Sequence, residues 1–437
     1  MMARDVHRLF AMNAPPPPAA APARWSWRAL YWAPHRLAFA LACGLLILSS
    51  LWWLNVQLAR SAWLPEALVW PLVWYPSLVH GAVMTYGFVP LFFLGFLYTA
   101  GPRWLGIEGP TARQIAPGLW LQGLGWCLWL LGAQLGGTVA LVGGALAWLG
   151  LCAGLWRLLA MLRQSRVADQ VHARLIAGAW GLGLLCLAGM LLALAWDQPS
   201  LARAWLTSGL WGFVVVVYVT VAHRMIPFFT SSALPMISIW SPLWVLLFLL
   251  LAIALRLLMV WVEWLEWELR LWAALGSFWL LVSGMVLLGL AFVWGLVQSL
   301  RIRLLAMLHI GFLWLGLAFL IDSISHFWML LSGDAPWTLG AMHAITMGFM
   351  GSLLLAMVTR VSCGHSGRLL VADRLVWSLF WLLQLATVLR VVSDLVDLRY
   401  LLGLTLAAAL LWTLALLPWA LRMLRWYGLP RIDGRPG

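Results

Sequence analysis

The chain has 437 residues, 64% of them hydrophobic and 9% charged, with a mean hydropathy of +0.94. A soluble domain carries about 25% charged residues, so this composition excludes a soluble globular protein. The formal net charge of +13 invites a nucleic-acid reading, but the basic residues lie between long apolar runs, and anionic lipid headgroups account for them.

In chain order, residues 1–30 hold no apolar core, which predicts no cleavable signal peptide. Within them "APPPPAAAPAR" at 14–24 reads as a flexible tail. Residues 31–425 read as a single transmembrane domain and 426–437 as a short terminal tail. Apolar spans fall near 37–58, 77–100, 115–134, 138–160, 174–195, 204–223, 238–259, 270–297, 304–321, 337–359, 374–394 and 400–421. Each is long enough to cross about 30 Å of hydrocarbon as a helix. The fold class is therefore an all-α polytopic bundle of about 12 helices, with the lipid bilayer as its first partner. Connections are short, leaving no room for a soluble domain, and no tandem repeat is evident.

All 27 basic residues are arginine. With the N-terminus inside, Arg60, Arg203, Arg256, Arg270, Arg390 and Arg399 fall on the outer side, leaving 21 on the inner side. That bias places both termini in the cytoplasm. Cys43, Cys127, Cys152, Cys186 and Cys363 show no framework spacing and read as small core residues. Many of the 34 tryptophans lie at span ends, as in an aromatic belt. "WVEWLEWELRLW" at 261–272, with Glu263, Glu266 and Glu268, reads as an interfacial segment. Docking of a basic partner is the alternative there.

Ionisable groups inside a bilayer are costly and raise a functional question. His7, His35 and His172 lie in the tail or at cytoplasmic edges and read as solvated, and His326 as an outer-edge structural residue. His80 in span two and His343 in span ten fall at similar depth, since both spans run from outside to inside. Each has a methionine four residues on, Met84 and Met347, on the same helix face. Two imidazoles at matched depth on separate helices suit the axial positions of a b-type haem. Gly81, Gly87, Gly348 and Gly351 then suit its faces; otherwise they permit close helix packing, with each histidine bonded to a neighbour. Arg390 in span eleven lies near that depth and suits haem propionates, or else pairs with Asp394 at helical spacing. A second group, His223, His309, Cys363 and His365, gathers toward the cytoplasm and suits copper or zinc if the helix ends meet. No interior carboxylate chain for proton delivery and no interior charge pair is evident, and no catalytic set can be named.

Several stretches together resemble the NnrS family of polytopic bacterial membrane proteins. "HAITMGFMGSLLLAMVTRVSCGHSGR" at 343–368 resembles a family segment of His-Ala-Leu-Thr type ending in Met-Thr-Arg-Val-Ser-Leu-Gly-His-Thr-Gly-Arg. His343, Thr346, Gly348, Gly351, Thr359, Arg360, His365, Gly367 and Arg368 fit it. "GFLYTAGPRWLG" at 95–106, "RMIPFFT" at 224–230 and "LHIGFLWLGLA" at 308–318 resemble further blocks, the last matching His309 to a family histidine. The resemblance implies haem and copper, a place in nitric-oxide or denitrification physiology, and the bacterial inner membrane. One departure bears on copper. The family's His-Ala-His-Glu-Met run is "HGAVMTYG" at 80–87 here, keeping His80 and Met84 but replacing the second histidine and the glutamate with Ala82 and Val83. Twelve spans with histidines on the second and tenth are also analogous to haem-copper oxidase cores.

The expected function is thus a haem-binding membrane protein with a redox or sensing role, served by a membrane or periplasmic redox partner. Two alternatives stand beside it. One is a secondary transporter, with Pro90 and Pro242 as candidate helix breaks. The other is a non-catalytic subunit or assembly factor of a larger membrane complex.

Overall fold

The computed structural model describes residues 24–61, 70–266, 270–333, 337–396 and 398–433. Most of the tail expected at 1–30, Glu268 and the last four residues lie outside the described residues. Twelve apolar helices are long enough to cross a membrane: α1 (Pro34–Arg60), α2 (Pro76–Leu105), α3 (Ala112–Leu135), α4 (Gly137–Gln164), α5 (Val171–Ala195), α6 (Pro199–Ala233), α7 (Leu243–Trp264), α8 (Arg270–Val293), α9 (Arg303–Ser332), α10 (Thr338–His365), α11 (Arg374–Leu395) and α12 (Tyr400–Tyr427). They confirm the polytopic all-α bundle. In lipid the backbone must satisfy its own hydrogen bonds, and helices do so locally.

The boundaries follow residue chemistry. Pro34, Pro76 and Pro199 open α1, α2 and α6 at the first helical position, where a missing N–H is no loss. Thr111 caps α3 in a reciprocal box with Gln114. Asp373 caps α11 through Val376 N and pairs with Arg422 of α12 at 2.6 Å, tying the start of one helix to the end of the next. Gly106, at φ +61°, closes α2 in the left-handed conformation. Pro242 proves to be the residue before α7, so span seven begins later than its hydropathy suggests and Pro242 breaks no helix.

Helices α3 and α4 form a tight hairpin. A side chain built at Gly125, Gly143 or Gly150 would lie within about 2.6 Å of the facing backbone, so small residues set this approach. The first and last spans, α1 and α12, also pack together, closing the bundle into a ring. Tryptophan is not confined to its ends. Trp126, Trp129, Trp180, Trp294 and Trp419 are fully buried, and four of the five donate their indole N–H, to Val79 O, Leu151 O, Trp240 O and Thr359 Oγ1.

Three helices occupy the centre. The apolar windows of α2, α6 and α10 are 83%, 78% and 78% buried, against 67% for the next most buried span. These three also share a π-helical segment: Val83–Gly87, Leu210–Val215 and Ala344–Gly351. Each contains or ends on the glycine of a Gly-Phe pair, at Gly87-Phe88, Gly212-Phe213 and Gly348-Phe349. The same element therefore recurs every fourth span, a repeat that reading for tandem similarity misses.

The inner helices do not contact one another equally. Phe213 and Tyr218 of α6 meet Tyr86 and Phe93 of α2 at centroid distances of 5.1–6.3 Å. Tyr218 also meets Phe349 of α10 at 5.8 Å. Backbone packing joins α2 chiefly to α1, α3 and α6, and α10 chiefly to α9 and α11.

Candidate functional site

His80 and His343 stand on two of the three central helices, α2 and α10. Each lies just before its helix passes from α to π geometry, three residues ahead of Val83 and one ahead of Ala344. A π turn accommodates one extra residue, so it rotates the residues on its N-terminal side by about 100° relative to those on its C-terminal side. Both rings are half-buried, as are Met84, Met342 and Thr346. Met347 is buried. The two imidazoles lie within electrostatic reach of each other, and Arg390 of α11 reaches both.

The rings are held differently. His343 Nδ1 lies 2.7 Å from Leu339 O, one turn back on its own helix. A carbonyl only accepts, so Nδ1 carries the proton and Nε2 presents its lone pair. His80 stacks on Trp53 of α1, with centroids 3.9 Å apart and planes 13° from parallel. Its Nδ1 is buried without a hydrogen-bond partner. Arg60 lies over the ring of Trp53 at 5.2 Å and also reaches His80 electrostatically.

Arg390 donates to Ser393 Oγ at 3.0 Å and interacts with Asp394 electrostatically. Asp394 Oδ2 in turn accepts from Gly340 N at 2.8 Å. The end of α11 is thereby tied to the first turn of α10, the turn that leads into His343. The glycines serve packing. A side chain at Gly81 would sit 2.8 Å from Leu206, one at Gly87 would press on Val83 and Leu45, and one at Gly348 would collide with Trp314. Only Gly351 keeps ordinary clearance, 3.5 Å from Leu383 and Trp412.

The second predicted cluster does not assemble. Among the described residues no three His, Cys, Asp or Glu side chains are placed to hold a metal ion. His309 Nε2 meets Thr230 Oγ1 at 3.0 Å. His365 lies 4.4 Å, centroid to centroid, from His35. His223 Nε2 lies 3.2 Å from Pro242 O and so carries a proton. Its Nδ1 then accepts from His172 Nε2 at 3.1 Å. The ring centroids of that pair are 5.3 Å apart, so the nitrogens point head-on at one another rather than converging on a shared ion. Cys363 is buried, and all five cysteines are free thiols. His35 and His172 are not solvated: they are 3% and 8% exposed, because each packs against a second imidazole.

The sequence reading missed one constellation. Arg256 of α7 bonds Asp322 of α9 at 2.5 Å and Glu263 at 3.2 Å. His326 Nδ1 lies 2.8 Å from Asp322 O, and its Nε2 lies 3.1 Å from Glu263 Oε1. Both ring nitrogens face acceptors, the arrangement of a doubly protonated imidazolium. Arg256 also lies 5.8 Å over Trp211, in the π segment of α6. Arg256, Asp322 and His326 are all under 5% exposed, so an interior charge pair does exist. Its members lie 66 residues apart, and no local spacing announces them.

These three central helices, with His80 and His343, fall within a family match that spans residues 29–431. A comparison with curated proteins finds no match. Matched over nearly its whole length to the model described as "NnrS protein", the chain belongs to the NnrS family.

Proposed function

We propose that this protein binds haem between α2 and α10 and uses it in a redox or sensing role. Family membership supports the wider setting, a membrane protein associated with the nitric-oxide response. One observation carries the finer reading: imidazoles on two of the central helices lie within electrostatic reach of each other, and Arg390 lies within reach of both. Ordinary core histidines bond a neighbour across a packed interface. His343 instead turns its bonded nitrogen back to its own helix and leaves Nε2 directed away, the disposition of a metal-ligating histidine.

The residues fit the group. His80 and His343 would hold the iron, and Arg390, with Arg60 over Trp53, supplies cationic partners for propionates. Bound haem supplies one-electron chemistry; the chain orients the rings, positions the guanidinium and excludes water with the aromatic packing of α6. Copper finds no such fit. Ala82 and Val83 replace two donors of the family run, and no three donors converge elsewhere among the described residues.

The test is an absorption spectrum and pyridine haemochrome assay of purified protein. A Soret band, with haem content falling at least tenfold in the His80→Ala/His343→Ala double variant, is expected. Protein that folds and stays monodisperse without pigment would overturn the proposal.

A second reading has an observation of its own. The buried Arg256–Asp322 pair is the kind of intramembrane charge that couples ion and substrate in transporters. Uptake by haem-free proteoliposomes, abolished by Asp322→Asn, would favour it.

A further inference from the structure

We infer that His80 is the ligand that yields, opening an iron position to a small diatomic gas on the α2 side while His343 retains the cofactor. The inference rests on the haem reading above. A site filled by two imidazoles cannot take a gas unless one of them leaves, and the structure distinguishes the two.

His343 is held at two levels. Its Nδ1–H is anchored on Leu339 O at 2.7 Å, and the first turn of α10 is itself fastened to α11 through Gly340 N and Asp394 at 2.8 Å. A hydrogen bond from the remote nitrogen fixes the tautomer and ring orientation and makes the imidazole a stronger donor. Loss of such a partner typically weakens metal affinity by about 10–100-fold.

His80 lacks this support. Its Nδ1 is buried and has no hydrogen-bond partner. The ring is held instead by the face of Trp53, 3.9 Å away and nearly parallel. Stacking fixes the plane of a ring but leaves it free to slide and turn within that plane. It also draws no charge from the N–H, so the donor nitrogen is not strengthened. Trp53 remains a shelf for the displaced ring, so release of His80 exposes no new apolar surface. The ligand suited to the vacated position is uncharged and binds through one atom, such as carbon monoxide or nitric oxide.

The experiment uses the full-length protein purified with its haem, carbon monoxide as probe, and three variants. His80→Ala is expected to keep at least half of the wild-type haem and to turn high-spin by electron paramagnetic resonance. His343→Ala is expected to lose haem at least tenfold. Trp53→Ala keeps both imidazoles and is expected to raise the carbon monoxide association rate about tenfold, so it tests the same point if His80→Ala fails to fold. Haem lost from His80→Ala but kept by His343→Ala, equal loss from both, or an unchanged rate in Trp53→Ala would overturn the inference. Wild-type protein without haem would instead overturn the reading beneath it.

Discussion

Asp322 shows how much a single buried residue carries here. Its carboxylate is 3% exposed and faces Arg256 on one oxygen. The other oxygen has only His326 Nδ1 nearby, at 3.4 Å, and no good hydrogen bond. Removing one partner of a buried pair leaves the other as an uncompensated charge, at about 3–5 kcal/mol, whereas replacing both with apolar groups is often neutral or stabilising. Because Arg256 keeps Glu263 at 3.2 Å, Asp322→Ala is expected to lower stability by less than that, about 1–3 kcal/mol, in a detergent melt monitored by size-exclusion chromatography. The Arg256→Leu/Asp322→Leu double variant is expected to recover most of the loss. A double variant no better than the single would show that the pair is not the source. The contrast with His343 explains what was legible. His343 stands in a motif whose neighbours in sequence are also its neighbours in space, including Leu339, to which its ring is bonded. Arg256 and Asp322 meet only after α7 and α9 pack, as do His172 with His223 and His35 with His365, so nothing local marks them.

At the scale of elements, the π segments matter most. Hydropathy located all twelve helices because apolar length alone identifies a span. It could not locate Val83–Gly87 or Ala344–Gly351, since a π turn keeps the same composition and changes only which carbonyl each N–H reaches. Its effect is rotational. The residues of α10 beyond Gly351 pack against α9, α11 and α12, and the π turn sets where His343 points relative to that packing. Deleting Ile345 would let the segment close as an ordinary α-helix. The packed lower half would stay in register while His343 rotates by about 100°. The expected result is a monodisperse protein whose haem-to-protein ratio falls at least fivefold by pyridine haemochrome. Wild-type haem content in the deletion variant would show that the π turn does not aim the ring.

At the scale of the whole molecule, an even number of spans brings both chain ends to one face, and the packing of α1 on α12 closes the ring there. Ser26 N bonds Gly428 O, Arg36 Nη1 bonds Leu429 O, and Ile432 N bonds Ser366 O, so residues next to the two ends lock the same corner. This face also carries most of the arginines. Several of them lie over aromatic rings: Arg224 over Trp104, Arg303 over Trp377, Arg360 over Phe229, Arg368 and Arg422 over Trp426. Such stacking lets a guanidinium sit at the interface with its apolar flank covered. Positively charged segments are retained in the cytoplasm during insertion, so the face bearing the termini should be cytoplasmic and the His80–His343 site should lie toward the other side. A fluorescent protein fused after Gly437 is expected to fluoresce, because it folds in the cytoplasm. Alkaline phosphatase fused after Gly333, at the end of α9, is expected to be active, because it matures only on the far side. The reverse pattern would invert the bundle and put the histidine site on the cytoplasmic side, where an extracytoplasmic redox partner could not reach it.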